Sequence, residues 1–374
     1  MTSPGGVSKV GGRGEIRSML DYIASLLDAF RVWYGGLSNT QAIIFLFVSL
    51  GGCFIVLSKG ANLLVDGAAS LASGLGVPKM IIGVTVVSLG TTLPEVSTSI
   101  MASIRGFGGV AMGNAIGSII CNAGLIFGLG CTIVRLPVER FTLNRNAWFQ
   151  IGGAILLVLL YLLSPYAAVD QSGVSDGARL FPRAFGVILL AGLASYTLLS
   201  LRWAKQSVQA KAKEPNRAAV RQSEVKLGKT IVLILIGFFL IVLAARGLLT
   251  LVEQLALQLG VPRDIIAVTL LALGTSIPEL ATGITSLVKG HSELLVGNVI
   301  GANVLNAFWV VGASAAVRPL LIPEQFLWLH LPVMLVILGV FHLNIWTSKT
   351  YLRRWPGSLM LVIYLIYAVG SYWL

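Results

Sequence analysis

The sequence predicts an all-α polytopic membrane protein with about ten transmembrane helices in two inverted-topology five-helix repeats. Three observations carry this prediction. Of the 374 residues, 56% are hydrophobic and only 11% are charged, against about 25% charged in a soluble globular protein. Mean hydropathy is +0.87, which excludes both an ordinary soluble domain and a disordered chain. Finally, the apolar residues are gathered into ten long runs, two of which are near-copies of each other.

In chain order, residues 1–38 read as a flexible Gly/Ser-rich N-terminus followed by an amphipathic interfacial helix. In that helix Ile16, Met19, Leu20, Ile23, Leu26, Leu27, Phe30 and Trp33 keep helical spacing, with Arg17, Asp21, Asp28 and Arg31 on other faces. No cleavable signal peptide is read there. Residues 39–203 form the first five-helix repeat, with spans at Gln41–Ser58, Met80–Ile104, Phe107–Val134, Ala147–Val169 and Ala184–Leu201. Residues 204–229 form a basic linker. Residues 230–374 form the second repeat, with spans at Thr230–Ala245, Ile265–Val288, Leu294–Val317, Gln325–Ser348 and Pro356–Leu374. A span takes about 20 apolar residues, and the lipid interior demands that the backbone satisfy itself, so each run is expected to be helical.

The net charge of +12 reads as basic residues in cytoplasmic loops, not as a nucleic-acid surface. Counting alternate loops puts 17 of the 27 Lys and Arg on the linker side. The expectation is therefore a multi-pass plasma-membrane or inner-membrane protein with linker 204–229 cytoplasmic and both termini opposite. The lipid bilayer is the partner, and no obligate protein partner is evident. Cys53, Cys121 and Cys131 lack metal-ligand or CxxC spacing and read as packing residues.

Shifting the chain by 184 residues lays Gly83–Asn122 over Ala267–Asn306 without a gap, with fifteen of forty positions identical. The matches include Gly90/Gly274, Thr91/Thr275, Pro94/Pro278, Glu95/Glu279, Gly113/Gly297, Asn114/Asn298, Gly117/Gly301 and Asn122/Asn306. Each copy lies in the second and third spans of a five-span half. An odd number of spans inverts the second half, an arrangement that places transporter sites near the midplane on broken helices. Pro94 and Pro278 supply the breaks. A carboxylate at the centre of a span costs about 2.5–3.5 kcal/mol on insertion scales, and Glu95 and Glu279 sit at equivalent positions. Arg105 and Lys289 are ten residues further on, about 15 Å along a helix, too far for local pairing. Thr91 and Glu95 share a helix face, as do Thr275 and Glu279, and Ser118 and Asn122. This all-oxygen set suits a hard cation. Gly113, Gly117, Gly297 and Gly301 read as close-approach positions. Asn114 and Asn298 fit equally as interhelical hydrogen-bonders or as ligands.

The strings LGTTLPEVSTS and LGTSIPELATG, each followed by GN-x-IG, resemble the two alpha-repeats of the sodium/calcium exchanger family within the cation/calcium antiporters. The resemblance implies Ca²⁺ export driven by Na⁺ entry, by alternating access around four diamond-arranged cation sites. Carried over by motif position, the ligands are Thr91, Thr92, Glu95, Ser118 and Asn122, with Thr275, Ser276, Glu279 and Asn306 from the second repeat. The backbone carbonyls of Ser88 and Ala272 join them. Ca²⁺ and Na⁺ are cargo, and no cofactor is expected. Two positions depart from the family pattern: Ala302 replaces a common Ser, and Asn306 replaces an Asp found in several prokaryotic members. An H⁺- or K⁺-coupled antiporter on the same scaffold remains an alternative. An intramembrane enzyme using the paired Glu as acid and base is the reading from another class, and the chain lacks an HExxH or nucleophile motif to support it.

Overall fold

The computed structural model describes residues 36, 38–137, 140–167, 177–212, 227–259 and 274–371. The expected N-terminal amphipathic helix, the middle of the linker and residues 265–273 of the seventh predicted run, Ala272 included, lie outside them.

Helix α1 (Asn39–Leu75) opens on a capping box, with Ser38 and Gln41 bonding reciprocally, and closes on Gly76 at φ +66°. It runs well past Ser58, where the apolar run stops. Lys59 interrupts hydropathy but not helix geometry, and no breaker occurs before Gly76 and Pro78. Helices α2 (Lys79–Thr91) and α3 (Leu93–Ile104) form one broken span bent by 41°. Pro94 lies in the first turn of α3, where its missing N–H costs nothing. Then follow α4 (Gly108–Ile133) and α5 (Arg140–Leu162). Strand β1 (Arg179–Phe181) precedes α6 (Arg183–Ala212), which carries the fifth span on into the linker.

The second half begins with α7 (Leu227–Gln258). Helix α8 (Ile277–Val288) opens after Ser276 with Pro278 in its first turn, matching α3; the arm that precedes it in sequence lies outside the described residues. Helix α9 (Ser292–Val317), strand β2 (Leu320–Ile322), α10 (Phe326–Thr347) and α11 (Arg354–Gly370) complete the chain. Seven of these helices are long and apolar enough to cross a membrane, and α2–α3 makes an eighth span when counted as one. Helices α8 and α11 are shorter apolar helices. Most of each predicted run falls on helix where it is described, but Ala147–Val169 outlasts its helix, which ends at Leu162. Among the described residues, the all-helical expectation misses β1 and β2, which pair antiparallel with Phe181 opposite Leu320, and two isolated bridges. The strands join two loops at one end of the bundle, where three-residue segments have no span to form.

The equivalent helices α4 and α9 are central, their most apolar windows 72% and 94% buried against 17% for α1. The apolar interior divides in two. A large cluster joins α4, α5, α9, α10 and α11. A smaller one joins α1 to α7, the first helices of the two repeats, and takes in Ile82 and Val87 of α2 and Leu294 of α9. Outward-facing Phe47, Phe54, Trp148, Phe239, Val288 and Ile366 are all more than half exposed, as lipid contact requires.

Connections sort to two ends. At one, the Leu352 N–H donates to the Leu136 carbonyl at 2.9 Å, Arg145 donates to Gln206, and Lys79 meets His291 at 2.9 Å. At the other, β1 pairs with β2, Arg318 donates to the Ile104 carbonyl, and Arg183 donates to Val317.

Candidate cation site

Glu95 and Glu279 lie in the first turn of α3 and α8. Both residues are fully buried. No described Lys or Arg pairs with either. Lys289 instead reaches back to Asp66 of α1 at 2.7 Å. None of the four carboxylate oxygens takes a protein hydrogen bond. The same holds for the Thr92 hydroxyl and the side-chain amides of Asn122 and Asn306. Leaving such groups unmet costs about 1–3 kcal/mol each, and more when charged. Every one of these oxygens belongs to the set carried over by motif, and together they fit the hard-cation chemistry of that set.

The other described candidates make contacts of their own. Ser118 of α4 lies 3.4 Å from both the Thr275 and Ser276 hydroxyls, so the first repeat meets the second there. The Ser88 carbonyl accepts the Thr92 N–H at 3.0 Å, and its side chain bonds Val84. Ala302 is fully buried on α9.

Both candidate amides stand where the backbone changes pitch. A π-helical turn starts at Asn122 in α4 and another at Asn306 in α9. Such turns insert one residue into the α-helical ladder and recur at functional positions. Nothing in the local sequence announces them beyond their equivalence under the repeat.

The close-approach reading holds for the second repeat's glycines. A Cβ on Gly297 would strike the Met80 carbonyl, and one on Gly301 would strike the Val84 carbonyl and lie 2.7 Å from the Ser88 Cβ. Helix α2 therefore lies flush against α9. Asn114 and Asn298 are interhelical hydrogen-bonders. Asn114 donates to the Glu95 carbonyl at 3.2 Å and to Ser99 at 2.8 Å, and accepts from Thr275 at 2.9 Å. Asn298 donates to Thr282 at 3.3 Å and accepts from Thr91 at 3.3 Å. Sequence reading passed over Ser99 and Thr282. Their signal was a hydroxyl residue about one turn past each buried Glu, with a second, Ser103 and Ser286, a turn further on.

A cavity of about 550 Å³ lies beside the site, walled by Phe54 and Leu57 of α1, Leu248 and Leu249 of α7 and Ile277 of α8, and reaching Ser276 and Cys121.

The family model for sodium/calcium exchanger proteins matches residues 45–202 and 229–373. The chain belongs to the sodium/calcium exchanger protein family. Sodium/calcium exchanger MaX1 of Methanosarcina acetivorans is 28% identical over 348 residues, 88% of this chain and 99% of the relative. Inner membrane protein YrbG of Escherichia coli is 31% identical over 316 residues, 84% of this chain and 93% of the relative. Among solved structures, the sodium-calcium exchanger NCX_Mj soaked with 10 mM Na⁺ and zero Ca²⁺ superposes with a TM-score of 0.70 at 27% identity. That match covers 88% of this chain and 99% of the other. The protein is an integral membrane antiporter, and its family places it among transporters, not enzymes.

Proposed function

We propose that this antiporter exports Ca²⁺ in exchange for Na⁺ entry, binding both ions at a midplane site built on Glu95 and Glu279. The observation that carries the reading is the pair of fully buried, symmetry-related carboxylates whose oxygens lack protein donors. Two carboxylates balance one divalent ion. Thr91, Thr92, Ser118, Asn122, Thr275, Ser276 and Asn306, with the Ser88 and Ala272 carbonyls, supply the remaining oxygens for Ca²⁺ or several Na⁺. The relatives named as sodium/calcium exchangers support this choice of ions.

Alternating access requires one body to move against another. The separation of the α1–α7 cluster from the main core, and the cavity between that pair and α8, favour motion of α1 and α7 past the ion-binding helices. The end that carries Lys79, His291, Arg353 and the linker faces the cytoplasm, following the excess of Lys and Arg there.

The test is ⁴⁵Ca²⁺ uptake into proteoliposomes under imposed Na⁺, K⁺ or pH gradients. Uptake driven by an outward Na⁺ gradient alone supports the proposal. Uptake that requires K⁺ or a proton gradient replaces Na⁺ as the driving ion, and uptake without any counter-ion refutes antiport at this site.

A further inference from the structure

Asn114 and Asn298 each bridge the two repeats, and the hydrogen-bond logic around them fixes which way they point. The Glu95 carbonyl can only accept. The Ser99 hydroxyl gives its own proton to the Ala111 carbonyl at 3.3 Å, so it too accepts from Asn114. Both contacts demand the amide nitrogen. The amide oxygen of Asn114 therefore faces Thr275, and the Thr275 hydroxyl must donate. The second repeat reaches the same result by another route. Thr282 donates to the Pro278 and Glu279 carbonyls at 2.9 and 3.0 Å, so toward Asn298 it acts as acceptor. The nitrogen of Asn298 turns to Thr282 and its oxygen to Thr91, whose hydroxyl proton lies between the Asn298 oxygen at 3.3 Å and the Ser88 carbonyl at 3.4 Å. A hydroxyl has one proton and two lone pairs. With its proton given to Asn114, Thr275 presents only lone pairs to the ion, and Thr91 does the same with its proton shared between Asn298 and the Ser88 carbonyl.

We propose that Asn114 and Asn298 are positioning residues that hold the ligand threonine of the opposite repeat in an acceptor-only orientation. Each asparagine is itself tied to the glutamate segment of its own repeat, Asn114 directly through the Glu95 carbonyl and Asn298 through Thr282 and the Glu279 carbonyl. One amide thus couples a carboxylate helix of one half to a hydroxyl ligand of the other, and the coupling runs both ways across the pseudo-symmetry. A free hydroxyl would spend part of its time pointing its proton at the cation site. The asparagine removes that orientation before the ion arrives, a gain by preorganisation and not by an added contact. The crossed pattern also accounts for the GN motif in both repeats without assigning either asparagine as a ligand.

The inference rests on the proposed Ca²⁺ site and is tested by a double-mutant cycle on the full-length protein. ⁴⁵Ca²⁺ binding to the purified protein and Na⁺-driven uptake in proteoliposomes are measured for wild type, Asn114→Leu, Thr275→Val and the double variant. Asn114→Leu should weaken Ca²⁺ binding about tenfold, the upper range of one hydrogen bond's net worth, raising KM with kcat changed less than about twofold. In the Thr275→Val background, where no proton remains to direct, the same substitution should cost less than about twofold. Thr275→Ser keeps the hydroxyl and should keep the full response to Asn114→Leu. A parallel cycle of Asn298→Ser with Thr91→Val serves if Asn114→Leu does not fold. Equal losses with and without the threonine hydroxyl would overturn the proposal and leave the asparagines as packing residues. If wild type binds no Ca²⁺, or Glu95→Gln and Glu279→Gln bind it normally, the site itself fails, a different outcome from an additive cycle.

Discussion

Replacing either buried glutamate by glutamine should separate stability from binding. The side chain keeps its size and one oxygen but loses its charge. At an effective dielectric of about 20, unit charges about 4 Å apart interact by about 4 kcal/mol, so one carboxylate and a divalent ion gain about 8 kcal/mol. Desolvating the carboxylate and ordering the site oppose that gain, and the amide oxygen of glutamine recovers part of it. If two-thirds is offset, about 2.7 kcal/mol remains, a hundredfold loss of Ca²⁺ affinity. Folding responds in the opposite direction. Neither Glu95 nor Glu279 has a protein donor or a described cationic partner, so neutralising one removes a buried charge that costs about 2.5–3.5 kcal/mol on insertion scales. The expected result for Glu95→Gln and Glu279→Gln is thermal stability equal to or above wild type in ion-free buffer, with ⁴⁵Ca²⁺ binding and Na⁺-driven uptake lost. Near-normal binding by either variant would refute the two-carboxylate site. Unfolding of both would show instead that the carboxylates make structural contacts.

Other perturbations probe the frame around the site. Gly301→Ala forces α2 away from α9 at Val84 and Ser88 and should cost about 1–3 kcal/mol as overpacking, read as a lower Tm with impaired Ca²⁺ binding. His291 lies in the loop before α9, where partial burial, and then the charge of Lys79, hold its pKa below the ordinary 6.5. Its neutral form is the folded partner of Lys79, so stability is full above about pH 6.5 and falls as pH drops through the lower folded value. His291→Gln should flatten that part of the Tm–pH profile. Lys205 is exposed on the extension of α6. Lys205→Cys should resist an impermeant thiol reagent in intact cells and react after permeabilisation; Ser207, two residues on, is buried and unsuited to the assay.

The repeat made the centre of this molecule readable before its structure. Charged and polar residues inside apolar spans carry far more information than leucine or valine. Glu95, Glu279, Pro94 and Pro278 therefore located the two helix restarts and the two buried carboxylates. The spacing of Lys289 excluded it as a partner for Glu279, and the structure gives it to Asp66. Where α1 ends was not legible from hydropathy, because Lys59 ends an apolar run without ending a helix. The π-helical turns at Asn122 and Asn306 were hidden for another reason. Each adds one residue to an otherwise α-helical ladder, and that insertion has no local sequence signature. Asn114 and Asn298 could be read as ligands or as cross-links, since choosing between those roles requires knowing which hydroxyl faces each amide across the repeat boundary.

The two repeats are not chemically equal, and the inequality at Ala302 can be tested. Its equivalent, Ser118, lies 3.4 Å from Thr275 and from Ser276. The equivalents of that pair are Thr91 and Thr92, and the Thr92 hydroxyl is buried without a partner. By pseudo-symmetry, Ala302→Ser sets a hydroxyl within reach of both. It gives Thr92 a hydrogen bond with a net worth of about 0.5–1.5 kcal/mol, so the ion-free protein should become more stable, not less, despite a polar group entering the core. It also adds an oxygen to the second half of the site, which should change the Na⁺ dependence of Ca²⁺ uptake in steepness or midpoint. The measurement is the pair of Tm and Na⁺ titration curve for parent and variant. A lower Tm with an unchanged Na⁺ curve would mean that residue 302 faces packed helix instead of the ion. The local symmetry between the halves would then fail at this position. A higher Tm with a shifted Na⁺ curve would place residue 302 on the cation path and make its alanine a determinant of how this chain couples the two ions.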